Sequence, residues 1–216
     1  MKQILNKRLQ NISAFIEKED IVLDVGCDHA LLGIYLVLNK GVKVIGSDIN
    51  AGPLEKAKEN LKKYHLTRKV ELRLGDGLDA MSPDINTVVI SGMGGLSIIN
   101  ILKRIKEYPQ VKKLIISPNN DFELTRIEIS KLGFYLRRED MVLENGKYYL
   151  ISEYKVGKKK IDTFFGKLDL ENNTVEKYYR YIYDNNLKIL SKLGIKDRLK
   201  KKTLLKENDL IKKKII

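Results

Sequence analysis

Four aspartates stand where a small ligand could meet them. Asp24 and Asp28 flank a glycine at position 26, Asp48 follows 22 residues beyond that glycine, and Asp76 lies between Gly75 and Gly77. A glycine lets backbone come close to a ligand because it has no Cβ. Carboxylates beside such a turn would repel a pyrophosphate, and they suit a cation or a hydroxyl pair. His29 adjoins Asp28. Two further clusters carry polar or backbone groups, Ser91-Gly92-Met93-Gly94-Gly95 and Ser117-Pro118-Asn119-Asn120. The first lets a flat ligand lie against backbone, with Met93 as a soft apolar surface. The second puts an amide on a proline turn, able to donate to and accept from a base edge.

These residues need elements to hold them. Ile21–Val25 is an apolar run of strand length, and a helical pattern runs from about His29 to Asn39. Strand, glycine turn and helix open a nucleotide-binding βαβ unit. The turn is not G-x-G-x-x-G, so a dinucleotide reading is the weakest. S-adenosylmethionine, with a sulfonium and an α-ammonium, fits two flanking acids better. Asp28 could instead only cap the helix. A second strand ends at Asp48, where doubly wound nucleotide binders place an acid on the ribose hydroxyls. Gly52-Pro53 opens a helix to about Leu66. Further strands are expected at Val70–Leu74, Thr87–Ile90 and Lys113–Ile116, with helices at about Ser97–Lys106 and Phe122–Leu132. Asp76 could accept from an exocyclic amine, or merely turn the chain. Asn145-Gly146 between two β-rich runs, Phe134–Leu143 and Lys147–Tyr154, predicts a hairpin. Five parallel strands closed by an antiparallel hairpin give an α/β class I (Rossmann-like) S-adenosylmethionine-dependent methyltransferase sheet.

An amphipathic helix is expected from Met1 to about Lys18, its Lys7 and Arg8 facing phosphate or solvent. Gly157-Lys158-Lys159-Lys160 looks like a linker. Beyond it, Val175, Tyr179, Ile182, Asn186, Ile189 and Leu193 step alternately by four and three, which marks a coiled-coil seam with one polar position. Gly194 breaks it, and a second helix over about Lys196–Lys214 offers Leu199, Leu204, Ile211 and Ile215. The expected division is a methyltransferase domain over 1–156 and a basic helical coiled-coil hairpin over 157–216.

Net charge is +13 and unevenly spread. Residues 1–154 hold 23 basic against 20 acidic side chains, whereas residues 155–216 hold 18 against 8. A near-neutral half joined to a basic half suits an enzyme acting on nucleic acid. A single cysteine, Cys27, excludes an internal disulfide and a Cys-based metal site. No apolar run reaches the roughly 18 residues of a membrane span. No metal, no membrane, a cytoplasmic setting and a monomer rather than a dimer are expected.

The chain resembles the bacterial tRNA (adenine(22)-N1)-methyltransferase family. The resemblance is carried by Lys7–Gln10 (KRLQ), Asp24–Ala30 (DVGCDHA), Ala51–Pro53 (AGP) and Gly75–Leu78 (GDGL). Ser91–Gly95 (SGMGG), Pro118–Asn119 and Asn145–Tyr149 (NGKYY) complete it. Leu31, Leu32 and Gly33 replace the family's Tyr-Leu-Pro, and Ser117 replaces its Gln. The resemblance implies methyl transfer from S-adenosyl-L-methionine to N1 of adenosine 22 in the D-arm of tRNA. It implies catalytic roles for Asp28, His29 and Asn119, and cofactor contacts from Asp24, Gly26, Asp48, Ile49, Asp76, Gly77, Gly92 and Met93. It places Lys7, Arg8, Gly94, Ser117, Pro118, Lys158, Lys159 and Lys160 on tRNA. Methylation of rRNA or another RNA, and a non-catalytic RNA-binding role on the same scaffold, are the alternatives.

Overall fold

The computed structural model describes residues 5–216. Seven strands form one sheet in the order β3-β2-β1-β4-β5-β7-β6. β1 is Ile21–Val25, β2 Lys43–Asp48, β3 Val70–Leu74, β4 Thr87–Ser91 and β5 Lys113–Ser117, all parallel. β6, Phe134–Glu144, and β7, Lys147–Val156, close the sheet antiparallel. The hairpin turn has Asn145 at φ 48° and Gly146 at φ 75°, the two left-handed residues that match strand twist.

The central strands β1, β4 and β5 are continuously apolar through their middles because both faces are covered. Alternate residues feed two cores. Leu23, Val88, Ile90, Leu114 and Ile116 face one side with Ile98 and Leu102, and Val22, Val89 and Ile115 face the other with Ile12, Leu32 and Leu36. The layers come from α2 (Leu31–Lys40), α3 (Ala51–Lys63), α4 (Gly95–Leu102) and α5 (Phe122–Lys131), together with α1. The parallel strands thus all deliver their carboxyl ends to one edge, and the glycine clusters all lie there.

Three local departures from the sequence expectation matter. α1 spans only Lys7–Ala14, capped by Asn6, whose side chain accepts from the Leu9 N–H; the expected helix from Met1 begins outside the described residues and stops well before Lys18. It lies along β6 through three contacts. The Lys7 N–H donates to Glu144, Asn11 Nδ2 donates to Asp140 at 2.7 Å, and Arg138 sits 4.2 Å from the Phe15 ring centroid. α2 starts at Leu31 rather than His29. Its N-cap is Ala30 in the left-handed region, with no side-chain capping bond, so Asp28 does not cap it. The helix expected to reach Lys106 ends at Leu102 and resumes as a short 3-10 turn, Ile105–Glu107.

The chain divides into two compact units after Lys167, where the sequence suggested a boundary before Gly157. Residues just beyond β7 stay with the sheet for a physical reason. Arg126 and Glu139 form a buried ion pair, 2% and 0% exposed, at 2.9 Å. Such a pair is costly unless its remaining donors and acceptors are satisfied. Arg126 donates to the carbonyls of Thr163 and Phe164, and Glu139 accepts from Ser152 Oγ and the Lys167 N–H. The strap completes the pair.

The second unit holds α6, Asn173–Leu190, and α7, Arg198–Lys214. They are antiparallel, with Arg180 near Ile215 and Asn186 near Asn208. Val175, Tyr179 and Asn186 of the expected seam are buried. On α7 the seam runs through Asn208 and Ile211, while Leu199 is 80% exposed and takes no part.

Candidate functional site

β1 delivers Asp24 to the carboxyl edge, 5% exposed. The chain then turns over residues 26–30 with Gly26, Asp28 and Ala30 all at positive φ (71°, 49° and 56°). Two such residues without glycine in one loop are uncommon and hold only where neighbours fix them. Here the Gly26 and Cys27 N–H groups both donate to the Ser47 carbonyl, and the Ala30 N–H to Cys27. The Asn60 side chain ties down the His29 carbonyl at 3.0 Å. The result projects Asp28 and His29 outward, their side chains 67% and 42% exposed, with Nε2 3.5 Å from Oδ2.

A cleft of about 830 Å³ opens beside this loop. All eight residues expected on the cofactor line it: Asp24, Gly26, Asp48 and Ile49 on one part, Asp76, Gly77, Gly92 and Met93 on the other. Asp28 and His29 line it too. Asp48 keeps one oxygen on the Asn50 N–H, at 2.9 Å, and its other oxygen has no protein donor among the described residues. Met93 Cε occupies the space a Cβ on Gly26 would need, but that flexible end can move aside, and the φ of 71° is what calls for glycine.

Charge in the cleft is unevenly compensated. Burial pushes the Asp24 carboxyl up to about 7, and Arg8 opposes the rise. Burial also pushes the Cys27 thiol up, and Asp24, Asp48 and Asp28 push it the same way. The thiol is therefore no nucleophile at neutral pH. Three carboxylates acting on one buried sulfur mark the region as electronegative. A cation carrying a diol fits these carboxylate acceptors, and an anion placed among them does not.

The second cluster borders the same cleft. The Gly92 N–H donates to the Ser117 carbonyl, which locks the β4 glycine turn to the end of β5. The Asn119 N–H donates to the Met93 carbonyl, and Asn119 Nδ2 to the Gly92 carbonyl at 2.6 Å. Asn120 accepts from the Gly95 N–H at 2.9 Å. Asn119 stands at the rim, outside the lining, and retains one free amide hydrogen for a base edge.

The residues expected on tRNA scatter. Ser117 is 1% exposed and Pro118 is buried, because register with Ser91 draws the strand end inward; neither side chain faces an RNA surface. Gly94 is half-buried as the N-cap of α4. Lys158, Lys159 and Lys160 are exposed and away from the cleft lining, with Lys159 4.3 Å from the Tyr135 ring centroid. Lys7 is exposed. Arg8 enters the cleft itself, its guanidinium against Gly92 and 5.1 Å from the Tyr149 ring centroid. Sequence reasoning missed Asn50 and Pro53, at the start of α3, and Ser97, Asn100 and Ile101 of α4. The i, i+3, i+4 spacing of the last three on an otherwise apolar helix was the available signal. Among the described residues there is no group of three metal-ligating side chains, and no helix is long and apolar enough to cross a membrane.

Comparison with known proteins agrees with this geometry. The methyltransferase domain family matches residues 5–152. The tRNA (adenine(22)-N(1))-methyltransferase of Bacillus subtilis is 34% identical over 156 residues, which span 71% of this chain and 66% of that protein. A putative tRNA methyltransferase of Mycoplasma pneumoniae is 30% identical over 68% of this chain and 70% of its own length. Among solved structures, a putative tRNA (m1A22) methyltransferase of Streptococcus pneumoniae in complex with S-adenosyl-L-methionine superposes with TM-score 0.89 at 28% identity, over 98% of this chain and 100% of that one. Fold and matched length place this chain in the methyltransferase domain family, to which it belongs, and the relatives it is similar to carry the names of tRNA methyltransferases.

Proposed function

We propose that this chain transfers a methyl group from S-adenosyl-L-methionine to N1 of adenosine 22 in tRNA. The observation that carries the reading is the convergence of Asp24, Asp48 and Asp28 on one cleft at the sheet's carboxyl edge. That charge suits the cofactor, and the similar proteins of known name supply the substrate.

Asp24 is the group for the cofactor's ammonium, because a buried carboxylate near its midpoint gains most from a cationic neighbour. Asp48, with an oxygen to spare, takes the ribose hydroxyls. Ile49 and Ile101 flank the purine, and Gly77 leaves room beside Ile101. The bound cofactor supplies an electrophilic methyl on a sulfonium. N1 of adenine carries an in-plane lone pair, so no base need remove a proton first. As N1 bonds to carbon and carbon leaves sulfur, positive charge moves onto the purine. Asp28, exposed at the cleft and next to His29, stabilises that charge as it develops. Asn119 holds the base edge. N1 lies on the pairing edge, so the adenosine must leave its helix to be reached.

The basic helical hairpin binds the tRNA backbone. Asn186 and Asn208 pair within one chain, which satisfies the polar position of the seam internally and supports a monomer. A tRNA substrate and one buried, reduced cysteine accord with the cytoplasm.

The test is methyl transfer from labelled cofactor to unmodified tRNA transcripts, followed by nucleoside analysis. 1-Methyladenosine is expected, with no label on a transcript carrying guanosine at position 22. Label elsewhere in tRNA or only in rRNA would refute the assignment.

A further inference from the structure

The hairpin strand β7 begins with Lys147, an exposed residue whose ammonium is turned toward the cleft rim. Nζ is 3.2 Å from Asn119 Oδ1 and 5.1 Å from the Tyr149 ring centroid. Arg8 approaches the same ring at the same distance from α1. Two cations held on one ring lie within about 10 Å of each other. Among the described residues neither forms an ion pair, and Arg8 acts on the buried Asp24 carboxyl only through space. Arg8 Nε is buried with no hydrogen-bond partner at all. Like charges gathered around one side chain repel, and a buried guanidinium nitrogen without an acceptor is costly.

The ring explains why both stay. Its face attracts cations, worth about 0.5–1 kcal/mol each at an exposed site. That attraction does not neutralise them. Their spare donors point to an anion supplied from outside, at a rim whose other members are Asn119 and the Gly92 backbone. Resting on the reading of this site as one for an RNA adenosine, we propose that Lys147 and Arg8, braced on Tyr149, form a phosphate clamp for the backbone of the adenosine being methylated. The ligand class is a polynucleotide phosphodiester. The hairpin thereby takes part in substrate positioning: Lys147 touches both the phosphate and Asn119, so strand placement and base placement are set by one side chain.

Lys147 is the residue to change, since Arg8 also lines the cofactor cleft. Binding of unmodified tRNA to the full chain saturated with S-adenosylhomocysteine is measured across a salt series for the unaltered chain, Lys147→Met and Lys147→Arg. For Lys147→Met, weaker tRNA binding is expected, with the slope of log affinity against log salt shallower by about 0.7–0.9, one phosphate contact. Lys147→Arg should restore the slope. S-adenosylhomocysteine affinity should not move in either variant. An unchanged slope in Lys147→Met, or a lost S-adenosylhomocysteine affinity, overturns the clamp. Absence of tRNA binding by the unaltered chain overturns the clamp together with the tRNA reading. Normal tRNA binding and slope change without 1-methyladenosine formation would refute only the reaction.

Discussion

Arg8, from the N-terminal helix, is the cation that opposes the burial of the Asp24 carboxylate at the end of β1. Six residues of chain, 15–20, separate their elements, and the two side chains share the cofactor cleft.

The burial of Asp24 gives a pH dependence with a definite sign. Folded Asp24 titrates at about 7 against an ordinary 3.8, so between these values the folded chain holds a proton that the unfolded chain has released. Stability of the ligand-free chain therefore falls as pH rises from 4 to 7, by up to about 4 kcal/mol from this group. Affinity for S-adenosylhomocysteine, whose ammonium seeks the carboxylate, should instead rise over pH 6–8. Asp24→Asn should raise Tm at pH 8 and weaken S-adenosylhomocysteine binding at least roughly tenfold. Calorimetric titration and thermal melts read both; a binding constant flat with pH would contradict the assignment.

Asp28 should separate chemistry from binding. In Asp28→Asn, cofactor affinity is expected within a few-fold of the unaltered chain, with methyl transfer reduced roughly 100-fold. Single-turnover rates with saturating cofactor give the answer, and a lost cofactor affinity would move Asp28 to the cofactor group.

Gly26→Ala must accept a φ of 71° and displace the end of Met93. Loss of about 1–2 kcal/mol of stability is expected from the backbone. S-adenosylhomocysteine binding should fall with it. Met93→Ala alongside Gly26→Ala removes the side-chain obstacle, so any deficit that persists in the double variant belongs to the backbone.

Ending the chain after Lys167 removes 13 basic and 7 acidic side chains. Cofactor binding should survive, while tRNA affinity drops at least tenfold and its salt dependence becomes shallower. Unchanged tRNA affinity would mean that the helical hairpin does not bind RNA.

Much of this fold was legible because its signals are local. Continuous apolar runs marked the parallel strands, Asn145-Gly146 marked the hairpin, and acids beside glycines marked the cleft. What escaped depends on contacts distant in sequence. Arg8 reads as a surface cation until α1 is laid on β6 by Lys7–Glu144 and Asn11–Asp140, each spanning well over a hundred residues. Ser117 looks like a loop residue before proline, yet pairing with Ser91 carries β5 through it and buries it. Leu199 fits a helical stripe, but the buried partner of Asn186 is Asn208, which fixes the seam elsewhere.

The strap that closes the Arg126–Glu139 pair also sets where this protein can be recombined. The helical hairpin can be exchanged for that of a relative only if residues 157–167 remain with the parent sheet. A chimera joined at 157 would import foreign carbonyls opposite Arg126 and a foreign N–H opposite Glu139. A junction just after Lys167 leaves that buried chemistry intact, and makes the basic helical hairpin an exchangeable cassette.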